Sequence, residues 1–200
     1  ANGVIATGTN VSQYCQWLGM PRARIYIAPN AVNAQYFHQQ ARALLPLRPS
    51  LRQKLGLQGI VILFVGRMVD FYKRVAVLLD AQKQLETKRL DAQLVLVGEG
   101  PDRAAYEQQC RALGLRNVRF VNFMNHDALS QYYAAADIFV LPSRSETWGL
   151  VINEAMEFGL PIVTTRNVGA GADLVRENGF VVLPDDARAL ADALAKLVRD

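Results

Sequence analysis

The chain has 200 residues, 51% of them hydrophobic and 20% charged, and a formal net charge of +4. A chain of this length buries about 70% of its unfolded surface and keeps roughly 9,400 Å² exposed. It needs no disulfide or metal for a core, and it is neither disordered nor collagen-like. The basic residues are scattered rather than clustered with exposed aromatics, which excludes nucleic acid as a partner and leaves a weak attraction to anionic membrane surfaces.

Val4–Ala6 reads as a strand end, and Asn10–Leu18 as a short helix capped by Thr9 or Asn10. Ile25–Ile27 is a second short strand, followed by a turn at Pro29-Asn30. Residues 34–55 are polar, carry Pro46 and Pro49, and read as a linker with a helical turn at Leu51–Leu55. A regular rhythm then begins. Ile60–Val65 is a continuous β-branched run, as expected of a strand covered on both faces. Val75–Leu90 shows helical spacing. Leu94–Val97, Val118–Val121, Asp137–Leu141, Pro161–Thr165 and Phe180–Val182 read as further strands. Asp102–Leu113, Asp127–Ala134, Gly149–Phe158, Gly171–Arg176 and Asp186–Arg199 read as the helices between and after them. Such alternation with short connections predicts an α/β fold: a Rossmann-like, doubly wound parallel sheet with helices on both faces.

Cys15 and Cys110 are far apart in sequence and have no metal-ligand or redox spacing, so two reduced thiols and a cytoplasmic protein are expected. Ile60–Val65, the longest apolar run, is far too short for a membrane span. The first residues lack the pattern of a signal peptide, and the missing initiator Met is expected of a processed or excised chain. His38 and His126 have no metal-ligand companions and read as surface residues; no metal site is expected.

Ligands of doubly wound sheets bind beyond the carboxyl ends of the strands, so the loops there hold the candidate residues. After the first buried strand, Gly66-Arg67 and Lys73 place two cations six residues apart, suited to a diphosphate whose charge must be stabilised as it leaves. The loop Gly98-Glu99-Gly100-Pro101-Asp102 has glycines that allow close backbone approach. Arg103 stands where a dinucleotide fingerprint would have its third Gly. The segment 142–156 holds a strand end, a polar loop and a helix start. There the N–H groups of Gly149, Leu150 and Val151 form an anion site, and Glu146 and Glu154 are placed to accept hydroxyl hydrogen bonds. Asn167–Asp173 is a fourth loop on the same crevice. Each segment alone is also compatible with ordinary turns, caps and surface ion pairs.

Taken together, these pieces resemble the C-terminal domain of the retaining GT-B glycosyltransferases of family 4. The matching stretches run in the family's order: Phe64–Arg67 with Lys73, Leu96–Asp102, Val118–Phe120, Tyr133–Asp137, Leu141–Ser143, Glu146–Met156 and Gly159–Val163. The opening, with Val4–Thr7, Ile25–Asn33 and Phe37, is similar to the family's crossover between domains. Ala31, Asn33, Arg74, Trp148 and Asp173 stand where the family usually has Gly, Asp, Gly, Phe and Glu.

The resemblance implies three parts. Residues 1–30 would be the trailing strand and helix of an N-terminal, acceptor-side domain, residues 31–56 a linker, and residues 57–200 the nucleotide-sugar-binding domain. It implies that Arg67 and Lys73 hold the diphosphate, with Glu146 on the sugar and Glu154 on the ribose. Gly66, Gly98, Gly100 and the segment from Asn122 to Met124 would border the donor, with Thr147, Trp148 and the N–H groups of Gly149–Val151. The substrate would be a UDP-, GDP- or ADP-sugar, and no cofactor would be required. The acceptor would be a glycan or lipid-linked molecule, and the location cytoplasmic or peripheral on the inner membrane face. A GT-B epimerase or phosphorylase, a dinucleotide-binding domain and a non-catalytic interaction module are the competing readings.

Overall fold

The first buried run becomes the centre of a parallel sheet in the computed structural model, which describes residues 3–200. The chain opens with β1 (Val4–Ala6), α1 (Thr9–Trp17) and β2 (Ile25–Ile27), in which β1 and β2 pair in parallel as a separate two-stranded sheet. Two helices follow, α2 (Ala34–Leu44) and α3 (Arg48–Leu55). Then come β3 (Ile60–Val65), the short α4 (Asp70–Lys73), α5 (Val75–Thr87), β4 (Ala92–Val97), α6 (Arg103–Leu113) and β5 (Val118–Val121). The second half holds α7 (His126–Ala135), β6 (Ile138–Leu141), α8 (Leu150–Glu157), β7 (Ile162–Thr165), α9 (Gly169–Leu174), β8 (Gly179–Val182) and α10 (Ala187–Arg199).

The six-stranded sheet has the order β5-β4-β3-β6-β7-β8, every pair parallel. The chain winds outward from β3 to β5, then returns to place β6 on the other side of β3, where Ile62 pairs with Ile138 and Leu63 with Phe139. This is the doubly wound arrangement expected from the alternating elements. The reversal opens a crevice beyond the carboxyl ends of β3 and β6. The sheet is apolar throughout because both faces are covered: Ile62, Leu63, Phe64, Leu94, Leu96 and Phe139 are all fully buried. Each such side chain contributes about 1.5–3 kcal/mol relative to exposure.

Two local readings differ from the structure. Residues 34–55 are not an irregular linker but α2 and α3. The apolar residues of α2 lie on one stripe, with Phe37 and Ala41 buried one turn apart, so a polar composition conceals an amphipathic helix. Asn33 caps α2 by accepting the Tyr36 N–H at 3.1 Å. Pro49 falls in the first turn of α3, where it costs no hydrogen bond. Arg52 and Arg48 of α3 both bind the Asp137 carboxylate, the former at 2.9 Å, and Asp137 also accepts the Val61 N–H at 2.7 Å. These contacts fasten α3 to the central strands.

The second difference is the α1 cap. Gly8, not Thr9 or Asn10, is the cap residue. The side chain of Thr9 instead donates to Asp173, which also accepts the Thr9 N–H at 2.9 Å. Asn10 donates to the Arg166 carbonyl at 3.0 Å. The Asp173 side chain, from α9, thus does the work expected of a local cap. The accessible surface is 10,413 Å², above the expectation from length. Part of the excess lies on β1, α1 and β2, where Ile5, Tyr14, Trp17, Leu18, Tyr26 and Ile27 are exposed.

Candidate active site

The crevice at the strand reversal contains two adjoining clefts that share Arg67. The first, about 690 Å³, lies beyond β3 and β4 and is lined by Gly66, Arg67, Gly98, Glu99, Phe123, Met124, Asn125, His126, Val151 and Glu154, among others. The second, about 470 Å³, lies between the β3 and β6 loops and is lined by Arg67, Tyr72, Lys73, Pro101, Glu146 and Thr147, among others. Both cations and both carboxylates singled out in the sequence therefore face one continuous crevice.

The cations are held differently. Arg67 is exposed and has no ion-pair partner among the described residues. Lys73, at the end of α4, is ion-paired to Glu146, and both side chains are about four-fifths buried. The pair fixes both groups over the second cleft and neutralises them mutually. An incoming anion therefore meets Arg67 as the uncompensated charge.

At the mouth of α8, the backbone N–H groups of Gly149, Leu150 and Val151 have no acceptor among the described residues. Gly149 sets the helix start with a left-handed φ of 97°, a conformation that favours glycine. These N–H groups lie at the positive end of the helix dipole, where negative charge is favoured.

Glu154 lies on the inner face of α8, only 7% exposed. It accepts a hydrogen bond from the Tyr133 hydroxyl at 2.8 Å. Burial holds its carboxyl above the usual carboxylate range, while the Tyr133 hydrogen bond and the nearby His126 pull in the opposite direction. The Tyr133 hydroxyl is itself pushed well up by burial and by the neighbouring carboxylate.

Other residues named from sequence occupy different places. Gly98 and Gly100 are required by neighbouring backbone. A Cβ on Gly98 would stand 2.0 Å from the Gly66 carbonyl oxygen, and one on Gly100 2.3 Å from that of Met68. The loops after β3 and β4 thus press directly on each other. Asn122 turns to Arg103, which donates to it at 2.5 Å, and leaves Phe123 and Met124 to line the cleft. Trp148 does not line either cleft. It is 2% exposed, donates to Asn153 at 2.9 Å, and packs beneath Gly8 at the start of α1. Leu150 borders a further cleft with Glu154, His126, Tyr36 and Phe37. The fourth loop contributes Asn167 and Gly169 to an open cleft of about 840 Å³ that also includes Glu146 and the α1 residues Tyr14 and Trp17.

Sequence reasoning assigns no site role to two residues beside the crevice. His126 is exposed, as read from the sequence, and also packs edge-on against Phe37 and lines the first cleft. Tyr133, buried between Phe139 and Phe158, carries the hydroxyl that meets Glu154. The sequence marks it as the first residue of the matching stretch Tyr133–Asp137, but spacing gives it no partner. Among the described residues, no group of three or more His, Cys, Asp or Glu side chains could hold a metal ion, and no helix is long and apolar enough to cross a membrane.

Residues 59–200 match the family described as Glycosyl transferases group 1. An uncharacterized glycosyltransferase of Methanocaldococcus jannaschii is 30% identical over 193 residues, covering 94% of this chain and 48% of that protein. Among solved structures, WaaG, a glycosyltransferase involved in lipopolysaccharide biosynthesis, superposes with a TM-score of 0.81 at 26% identity, covering 98% of this chain and 53% of that one. Anabaena HepE in complex with UDP and glucose superposes with a TM-score of 0.79 at 26% identity, covering 100% of this chain and 54% of that one. The chain spans half or less of the length of the curated relatives it matches.

Proposed function

Because the chain belongs to the Glycosyl transferases group 1 family, we propose that it is the donor-binding half of a retaining glycosyltransferase that uses a nucleotide-activated sugar. The observation that carries this reading is that Arg67, Lys73, Glu146 and Glu154 line adjoining clefts that share Arg67, with the start of α8 reaching the first of them through Val151. The solved HepE complex with UDP and glucose supports the same ligand class.

In this reading the diphosphate lies between Arg67, Lys73 and the α8 N-terminus, and Glu154 accepts the ribose hydroxyls in the first cleft. Phe123 and Met124 border the base. The sugar lies in the second cleft, where Glu146 takes its hydroxyls. Transfer breaks the bond between the anomeric carbon and the diphosphate oxygen, and the acceptor hydroxyl forms its bond on the same face. The acceptor proton passes to the departing phosphate oxygen. Negative charge grows on the diphosphate as that bond breaks, and preorganised cations and N–H dipoles lower the barrier most where charge develops. The chain's own residues meet this demand, and the reading calls on no resident cofactor.

Residues 57–200 form the donor side, residues 31–56 the crossover, and residues 1–30 the last part of an acceptor-side domain that completes the enzyme. The net charge of +4 is compatible with a weak attraction to an anionic membrane surface. Calorimetric titration with UDP, GDP and ADP tests the core of this reading. One nucleotide should bind, and Arg67→Ala and Glu154→Gln should each weaken it about tenfold or more. Failure of all three to bind, or unchanged affinity in both variants, overturns the site.

A further inference from the structure

Glu154 has two carboxylate oxygens with different surroundings. Oε2 accepts the Tyr133 hydroxyl at 2.8 Å. Oε1 has no protein partner, yet it is not sealed away: among the described residues, the buried side-chain oxygens without a partner are Thr7 Oγ1, Ser130 Oγ and Ser143 Oγ. Glu154 lines both the first cleft and the one beside α2. Its free oxygen is therefore reachable from the crevice.

Tyr133 cannot adjust to follow a wandering carboxylate. It is fully buried, its ring stacked on Phe158 at 5.5 Å and tilted against Phe139 at 6.0 Å. Its hydroxyl has one hydrogen-bond partner, and that partner is Glu154. A rigid donor from α7 thus fixes the rotamer of an acceptor on α8. A carboxylate with one oxygen held this way presents the other in a single direction, which is the preorganisation a vicinal diol needs.

We propose that Tyr133 is a positioning residue of the nucleotide site: its hydroxyl holds Glu154 Oε2 so that Oε1 is aimed into the cleft at the ribose diol. This rests on the reading of Glu154 as the ribose acceptor. Tyr133 touches no ligand; it acts through Glu154.

The test compares each nucleotide with a form that lacks the diol. The probe is whichever of UDP, GDP and ADP binds most tightly, set against its 2′,3′-dideoxy counterpart. Tyr133→Phe should weaken the ribonucleotide about tenfold and leave the dideoxynucleotide at its wild-type affinity. A purely structural role for the hydroxyl predicts equal losses for both nucleotides, and that result, or no loss for either, overturns the proposal. Glu154→Gln is measured beside it. If that variant discriminates against the diol as expected while Tyr133→Phe behaves as wild type, the site reading stands and only the positioning role falls. If Glu154→Gln leaves the ribose preference intact, both fall. Thermal melting verifies that Tyr133→Phe is folded at the assay temperature. Should it melt too low, the titrations are repeated in sucrose, which favours the folded state.

Discussion

Arg74 follows the candidate cation Lys73 and has a left-handed backbone, with φ 54° and ψ 40°. An L-residue pays roughly 1–2 kcal/mol for that conformation. Its guanidinium is held on two sides: Nη1 contacts Asp70 at 2.5 Å, and Nε binds Asp185. The Arg74 side chain is 20% exposed and the two carboxylates 27% and 35%, so with solvent screening each pair is worth about 0.5–1 kcal/mol. Neither acid is left bare when the Arg is removed. Asp70 keeps the Ala76 N–H at 3.0 Å and the Tyr106 hydroxyl at 3.2 Å, and Asp185 keeps Arg144 at 2.8 Å. Arg74→Ala loses both pairs and keeps the backbone cost, a loss of about 1–2 kcal/mol. Arg74→Gly loses the same pairs but regains roughly 1 kcal/mol of backbone relief. The Gly variant should therefore be the more stable by about 1 kcal/mol, or some 2–4 °C in Tm, read by urea and thermal unfolding at low salt. This ordering reverses the usual penalty for Gly. An Ala variant as stable as the Gly variant would refute the account of Arg74 as a strained turn residue compensated by its two acids.

The Asp185 carboxyl is held below its ordinary 3.8, first by the hydrogen bond from Arg144 and then by Arg74. A depressed carboxyl contributes stability above its unfolded value and loses it as pH falls through the folded one. Wild type should therefore lose stability more steeply than Asp185→Asn on acidification below about pH 4, followed by urea midpoints from pH 5 to pH 3; parallel curves would count against the network. The Cys110 thiol is pushed up to about 11 from 9.0, chiefly by burial. With Cys15→Ala in place, its reaction with a disulfide reagent at pH 8 should be roughly a hundredfold slower in the native than in the urea-unfolded chain; comparable rates would show that the side chain is not shielded.

The elements most directly read from sequence are those whose burial is continuous. β3 and β4 are covered on both faces, so Ile60–Val65 and Leu94–Val97 declare themselves without reference to the rest of the chain. α2 could not be read so directly, because Phe37 and Ala41 are buried by α7 and α8 and form only a narrow stripe in a polar segment. The same division runs through the site. Arg67, Lys73, Glu146 and Glu154 are recognisable as charges placed after buried strands, and the fold brings them to one crevice. What spacing does not carry is the state of each charge. Lys73 is ion-paired to a residue 73 positions away, and Glu154 is hydrogen-bonded by one 21 positions away. Gly98 and Gly100 carry the same lesson. Their lack of a side chain invites a ligand-approach reading, and Gly98 does line the first cleft, but both are also required by the loop after β3. A larger residue there would push apart the two loops that bear Arg67 and Glu99, so these glycines govern the shape of the first cleft, Gly98 from its wall and Gly100 from behind it.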